Sequence, residues 1–412
     1  MAKGDVVVGL DIGTTKVCTI IGEVAGDNGR VDVLGVGVAP SSGLRRGVVV
    51  SIEETVSAIR ESVARAQRMA GAEVHSAVVG VTGEHFSSLN SRGVVAITHP
   101  DREVTESDVD RVLENSRVIV LPPDREIVHA IPRGFSLDGQ NGIRSPVGMS
   151  GTRLEVETHI VTGATSFLRN VITCVDRANL QVDELVLEPI ATADSVVMAA
   201  EKDLGVVLVD IGGGTSDIAV FRGGEICYSA VVPIGGVYVT RDIAAVLRTT
   251  PEEAERVKLA SGVAVAENIP PDKTFSFTHV GTDEQATESV KLLAEIIEPR
   301  ARELFTYVRQ ELLRSGYADI LPAGMVLSGG GAMLAGLRDV AADITGMPAR
   351  IGFPGGVGGL TESVSAPSFA TAVGLVRWGG RMRAHIPRPG GATGLLGALR
   401  VWMHRITTRS HA

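Results

Sequence analysis

One strand–turn–strand pattern occurs twice in this chain of 412 residues, and no other feature limits the fold as much. Residues 6–24 read VVVGLDIGTTKVCTIIGEV, and residues 206–222 read VVLVDIGGGTSDIAVFR. Each is an apolar strand ending in Asp-Ile-Gly, then a turn of small and hydroxyl residues, then a second apolar strand. Short apolar runs bounded by such turns are the pattern of buried strands. Asp11 and Asp210 stand 199 positions apart, about half the chain. Solenoid repeats recur every ~20–50 residues, so a period this long predicts two similar α/β domains instead. The length agrees, because one domain holds roughly 100–200 residues.

An Asp at the end of a buried strand, followed by glycine and hydroxyl residues, suits phosphate. Glycine lets the backbone turn sharply and come close. Successive N–H groups then form a cradle for anionic oxygens. The carboxylate repels phosphate but can hold hydrated Mg²⁺, which rests on one or two carboxylates plus phosphate. Either turn alone is an ordinary strand end. Two copies in matching halves predict one ATP site closed by both. A third turn, Gly329, Gly330 and Gly331, lies between an expected strand at 324–327 and an expected helix at 332–344. Close approach of adenine or ribose, with phosphate near the helix N-terminus, is the functional expectation. A plain tight turn is the alternative. The chain has no Gly-Lys dipeptide and hence no Walker A loop. It also lacks a G-x-G-x-x-G opening a helix, H-E-x-x-H and G-x-S-x-G.

The remaining pattern is α/β throughout. Aromatic residues are only 4%, so the cores must be Val, Ile, Leu and Ala. Strands are expected at 6–11, 17–24, 31–38, 78–81, 153–162 and 182–187. Helices are expected at 52–66, 106–118, 166–178, 189–200, 250–260 and 366–377. Residues 84–162 and 232–303 interrupt the two halves as insertions, the first a mixture of short strands, a helix and loops. The first core domain is then 1–83 with 163–204 and about 360–378, and the second is 205–231 with 304–359. Residues 379–394, rich in Gly, Pro and Arg, read as a linker to a terminal helix at 395–412.

No signal peptide or membrane-spanning run is evident, and Cys18, Cys174 and Cys227 suit small buried side chains in a reducing, cytoplasmic setting. The net charge of −9 argues against nucleic acid as a partner. From Arg377 onward there are seven Arg and no acidic residue, and taking those seven from −9 leaves −16 for the rest. Within that basic tail Leu395, Leu399, Trp402 and Ile406 recur at helical spacing, with Leu396 and Met403 beside them. Arg400, His404 and Arg405 lie toward the other side. Such a helix is expected to lie in an anionic membrane surface, its apolar face sunk and its Arg against lipid. Packing on the body is the alternative.

The set Asp11, Gly13, Thr14, Thr15, then residues 210–217, then Gly329, Gly330 and Gly331 resembles the phosphate and adenosine motifs of the actin, Hsp70 and sugar-kinase superfamily. GLRRGVVV at 43–50, LPPDREIVHAI at 121–131, PVGMSGTRLEVETHIVTG at 146–163 and GGVYVTRDIAAVL at 235–247 are similar to the FtsA family of bacterial cell-division proteins. The resemblance implies an actin-like ATPase fold, with a nucleotide cleft between two domains that each carry an inserted subdomain. It places Gly13, Thr14 and Thr15 on one phosphate loop and Gly212, Gly213, Gly214 and Thr215 on the other. Asp11 and Asp210 are then the carboxylates on the Mg²⁺ side. Glu255 and Lys258 match a helix pair that reaches the ribose, although a solvated ion pair has the same spacing. Glu188 stands where relatives orient the attacking water, or is an exposed strand-end acid. Implied partners are the ring protein FtsZ through its C-terminal peptide on 232–303, copies of the chain itself through 84–162, anionic lipid, and later division proteins. Weak ATP hydrolysis at most is expected. The competing readings are a pilus-assembly adaptor of the same fold and a sugar kinase.

Overall fold

The computed structural model describes residues 5–26, 29–267, 269–281 and 285–384. The tail positions Leu395, Leu396, Leu399, Trp402, Met403 and Ile406 lie outside the described residues. The first half runs β1 (Val6–Ile12), β2 (Lys16–Ala25), β3 (Arg30–Pro40), the short strands β4 (Leu44–Arg45) and β5 (Val48–Val49), α1 (Ile52–Ala70), β6 (Ser76–Val81), β7 (Ser87–Ala96), α2 (Glu106–Arg117), β8 (Arg125–Leu137), β9 (Gln140–Ile143), β10 (Arg153–Ala164), α3 (Thr165–Arg177), β11 (Gln181–Leu187), α4 (Glu188–Val196) and α5 (Ala199–Leu204). The second runs β12 (Val206–Ile211), β13 (Ser216–Arg222), β14 (Glu225–Val232), α6 (Gly236–Leu247), α7 (Pro251–Ser261), β15 (Thr274–Thr278), β16 (Gln285–Ser289), α8 (Val290–Ser315), β17 (Met325–Ser328), α9 (Leu337–Thr345), β18 (Ala349–Ile351), β19 (Val357–Gly359) and α10 (Ala370–Ala384).

The sequence repeat is a repeat of topology. One sheet is ordered β11-β6-β1-β2-β3-β19 and the other β14-β13-β12-β17-β18. Each begins with an antiparallel meander, β1–β2–β3 or β12–β13–β14, and adds parallel strands beside the first strand of that meander. The registers correspond: Asp11 faces Cys18 across β1–β2, and Asp210 faces Asp217 across β12–β13. Strands β1 and β12 are buried along nearly their whole length. Near-continuous Val, Leu and Ile suits strands covered on both faces.

Helix boundaries follow local chemistry. In α1, Ser51 accepts the N–H of Glu54, Glu53 and Glu54 occupy the first turn, and Gly71 closes the helix at φ 62°. These satisfy the free N–H groups, complement the helix dipole and supply the left-handed cap. Val56, Ile59, Val63 and Ala66 form its buried stripe. Cys18, Cys174 and Cys227 are buried free thiols, as expected.

Four elements differ from expectation. First, Gly329 to Gly331 lead into a short 3₁₀ turn, Gly330–Met333, and α9 starts only at Leu337, because Gly336 at φ 76° interrupts the run. Second, the strands within 84–162 are long: β10 pairs with β7 from Arg153↔Ala96 to Thr162↔Ser87, and with β8 on its other side. Pro132 and Gly134 make β8 look broken in sequence. They flank a bulge, since Glu157 pairs with Gly134 and Thr158 with Pro132. The bulge turns Arg133 toward the second half, where it donates to Cys227 Sγ at 3.0 Å and Tyr317 Oη at 3.3 Å. Third, α10 continues through Gly379 and Gly380 to Ala384, so the expected linker overlaps helix at its start. A Cβ on Gly380 would stand 2.5 Å from Val31 Cγ2 and 2.6 Å from Gly29 O. Those glycines serve close packing. Fourth, α8 is one helix of 26 residues that spans position 303 and contains Pro299.

Candidate functional site

The two Asp turns meet. A Cβ on Gly213 would stand 2.5 Å from Thr15 Cγ2, and one on Gly214 would stand 2.6 Å from Thr14 Oγ1. Only glycine permits this approach of the second turn to the first. Each turn is closed by its own backbone bond, Gly13 N–H to Lys16 O at 3.0 Å and Gly212 N–H to Thr215 O at 2.9 Å. The Gly212 and Gly213 carbonyls accept from Gly236 and Val237 at the start of α6, both at 2.9 Å. Among the described residues, no backbone carbonyl takes the N–H groups of Thr14, Thr15, Gly213 or Gly214. Four backbone donors without a carbonyl partner thus lie in the two turns that touch.

The third glycine turn joins the same place. Strand β17 is parallel to β12 with Ser328 beside Asp210, so Gly329 follows directly alongside that carboxylate. Gly329 has φ 79°, a conformation other residues adopt at a cost, and a Cβ there would meet Asp210 Oδ1 and the backbone of Ile211. Gly331 is pressed on Ile211 as well, whereas Gly330 is open.

Four carboxylates gather beneath the turns. Asp11, Glu188, Asp210 and Asp217 are 7%, 8%, 5% and 2% exposed. Glu188 is the first residue of α4, buried and not an exposed strand-end acid, and its Oε1 has no hydrogen-bond partner. Burial pushes the Asp11 carboxyl up to about 6, with Lys16 opposing and Asp210 adding. Burial pushes Asp217 up to about 8, despite hydrogen bonds from Thr82 and Thr215. Glu188 is raised well above the usual range by burial and by Asp11, Asp217 and Asp210. Asp210 is raised by burial, against hydrogen bonds from Thr192 and Thr371. Clustered buried carboxylates favour either bound protons or an added cation.

Glu255 and Lys258 also reach this region. The Lys258 ammonium donates to Glu255 Oε2 at 2.6 Å, Thr240 Oγ1 at 2.9 Å and Gly236 O at 3.1 Å. The pair is therefore an ion pair anchored at the start of α6, one hydrogen bond from the second turn.

Several residues at the site carry weak sequence signals. Lys16 follows Thr15 directly; its ammonium lies 4.5 Å from the Phe369 ring centre and donates to Ser368 O. Asp217 closes the second motif. Thr82, directly after β6, donates to Asp217 Oδ1. Thr192, four residues after Glu188, donates to Asp210 Oδ2 at 2.5 Å. Thr371 has no sequence cue and lies 3.1 Å from the same oxygen.

The residues fit Mg²⁺ and a phosphate chain on chemical grounds: an orphaned buried carboxylate oxygen, a carboxylate cluster with Lys16 as its balancing cation, and a glycine cradle of unused N–H groups. Among the described residues, no group of three His, Cys, Asp or Glu forms a ready metal cage.

Comparison with known proteins identifies the architecture. Family models described as "Cell division protein FtsA" and "SHS2 domain inserted in FTSA" match residues 207–374 and 83–162. The cell division protein FtsA of Pseudomonas aeruginosa is 47% identical over 377 residues, covering 92% of this chain and 90% of that protein. The chain belongs to the FtsA family. Other FtsA members include those of Neisseria meningitidis, 41% identical over 96% of this chain and 97% of the relative, and Escherichia coli K12, 37% identical over 90% of each. It is thus an actin-like protein of cell division. The "PilM-PilN type IV pilus biogenesis complex" superposes with a TM-score of 0.65 at 19% identity, over 90% of this chain and 98% of that one. "MreB5 of Spiroplasma citri bound to ADP" superposes at 0.54 with 15% identity, over 93% and 98%. These likenesses establish the actin-like ATPase fold for this member of the family, and the residues matched by "SHS2 domain inserted in FTSA" hold the four-stranded sheet β7-β10-β8-β9.

Proposed function

We propose that the chain binds ATP with Mg²⁺ where its two turns touch, polymerises on the cytoplasmic face of the membrane in that state, anchors the FtsZ ring there and helps recruit later division proteins. The observation that carries this reading is the contact of Gly213 and Gly214 with Thr15 and Thr14. A phosphate chain bound by both turns ties the halves together. Bound Mg²⁺ would neutralise phosphate and carboxylate charge. Asp11 and Asp210 are the residues to hold it. Thr14, Thr15, Gly213 and Gly214 donate to phosphate, with Gly13, Gly212 and Thr215 closing the loops. Gly329 to Gly331 border the adenosine, and Glu255 with Lys258 approaches the ribose. Glu188 orients water for slow hydrolysis once it is ionised.

Partners follow the same reading. The sheet within 84–162 supplies contacts between copies of the chain. A cavity of about 430 Å³ opens beside α7 and the β15–β16 hairpin, lined by Val257, Phe275 and Phe277 with Glu253 and Arg256. It is a pocket for the C-terminal peptide of FtsZ. No helix among the described residues is long and apolar enough to cross a membrane. Attachment rests on Leu395, Leu396, Leu399, Trp402, Met403 and Ile406, with the neighbouring Arg residues meeting anionic lipid.

A titration of a fluorescent ATP analogue into the full chain, with Mg²⁺ and with EDTA, tests the core claim. Saturable binding that Mg²⁺ strengthens is expected. Absence of binding, or binding unaltered by Asp210→Asn in Mg²⁺, overturns it. Phosphorylation of a sugar panel would favour the kinase reading instead.

A further inference from the structure

Asp210 lies at the end of β12 in the second half, yet its carboxylate is gripped from the first, to which α10 belongs although it is last in the chain, since its Ala372, Val373 and Val376 pack with Val7 and Cys18. Thr192 Oγ1, on α4, donates to Oδ2 at 2.5 Å. Thr371 Oγ1, on α10, donates to the same oxygen at 3.1 Å. The two hydroxyl oxygens are 2.9 Å apart, and both threonines are buried. Helices α4 and α10 are themselves locked: the Cα of Gly374 is so close to Ala191 that a Cβ would meet its backbone. Ser195 adds a 2.7 Å hydrogen bond from α4 to Ala370 O, next to Thr371. The threonines are therefore presented on a rigid pair of helices.

Two donors on one oxygen satisfy Oδ2 and fix the plane of the carboxylate. Oδ1, against Gly329, is the oxygen left to face a cation or its water. The same device recurs nearby, since Thr82 at the end of β6 donates to Asp217 across the halves. Charge-assisted hydrogen bonds of this kind are among the stronger ones.

From this geometry we infer that Thr192 and Thr371 are positioning residues: they orient Asp210 for Mg²⁺ from the opposite half, so that tight Mg²⁺–ATP binding requires the two halves to be in register. The inference rests on the ATP reading above. Loss of an outer-shell hydrogen bond to a metal ligand costs about tenfold to a hundredfold in metal affinity.

The test uses the full chain, a fluorescent ATP analogue and Mg²⁺ titrated from an EDTA baseline. Variants are T192V, T371V, the double valine, and the double serine T192S/T371S, each checked by thermal melting. The expected result is a rise of about tenfold or more in the Mg²⁺ concentration giving half-maximal binding for the double valine, with binding in EDTA unchanged. The serine pair restores the wild-type value. A valine pair with wild-type Mg²⁺ dependence overturns the inference. So does an equal loss in EDTA and in Mg²⁺ for valine and serine alike, which is the mark of a structural role. If the double valine does not fold, T371V alone decides by the same criteria, because Thr192 still holds Asp210. Failure of the wild-type chain to bind ATP in any condition sinks the ATP reading itself, a result distinct from all of these.

Discussion

Gly214 of the second turn lies against Thr14 of the first, so closely that a Cβ would stand 2.6 Å from Thr14 Oγ1 and 3.1 Å from the backbone N of Arg46. Turns on opposite halves of the sequence are thus in van der Waals contact. Gly214→Ala forces them apart. We expect at least a tenfold loss of ATP affinity and a stability loss of about 1–3 kcal/mol, the usual cost of overpacking. Equilibrium binding and denaturant titration check both.

The carboxylate cluster predicts an unusual pH dependence. In the nucleotide-free protein in EDTA, Asp11 titrates at about 6 and Asp217 at about 8, both above the ordinary 3.8. Folded carboxyls with raised pKa hold protons that the unfolded chain has released. Their stabilising contribution is complete below the unfolded value and is lost as pH rises through the folded ones. The melting temperature should therefore fall between about pH 5 and pH 9. Asp217→Asn should flatten the upper part of that fall. Melting curves that are level across this range, or identical in the variant, contradict the assignment.

Helices α4 and α10 have no room at their crossing. Gly374→Ala would drive its Cβ into the Ala191 backbone, where rearrangement means moving a helix. A destabilisation of about 3 kcal/mol, at the upper end of overpacking, is expected in urea unfolding.

Filling the α7–hairpin cavity separates partner binding from nucleotide binding. Ala260, an exposed residue lining that cavity, becomes Trp in the variant Ala260→Trp. Co-sedimentation with FtsZ should drop several-fold while ATP affinity stays within about twofold, since Ala260 lines the cavity with the β15–β16 hairpin, whereas Glu255 and Lys258 of the same helix bond to Thr240 on α6. Undiminished co-sedimentation would place the FtsZ contact elsewhere.

Removing residues 395–412 should abolish sedimentation with anionic liposomes at unchanged ATP affinity. Retained sedimentation would mean that the body, and not the tail, meets the lipid.

Much of this fold was legible because it rests on short-range patterns. The repeat around Asp11 and Asp210 carried both strand periodicity and turn chemistry, and the topology follows it strand for strand. Helix α1 was readable from its buried stripe and its Gly71 cap. What was illegible depends on distant packing. Gly379 and Gly380 resemble a linker until Val31 and Gly29 are seen against them. Pro132 and Gly134 resemble breaks until β10 pairs across the bulge between them. At the site, Asp11 and the glycines announced themselves through local motif chemistry. Thr192 and Thr371 did not, because a hydroxyl's role is fixed by the carboxylate it reaches 18 and 161 positions away.

The continuity of α8 has a mechanical meaning. At about 1.5 Å per residue, its 26 residues make a strut of roughly 39 Å. One end leaves the β15–β16 hairpin, and the middle carries Leu304, Phe305 and Val308 into the core of the second half. A single helix, lacking one backbone donor at Pro299, thus couples the hairpin to the core under the sheet that holds Asp210. Force need not pass through a loop.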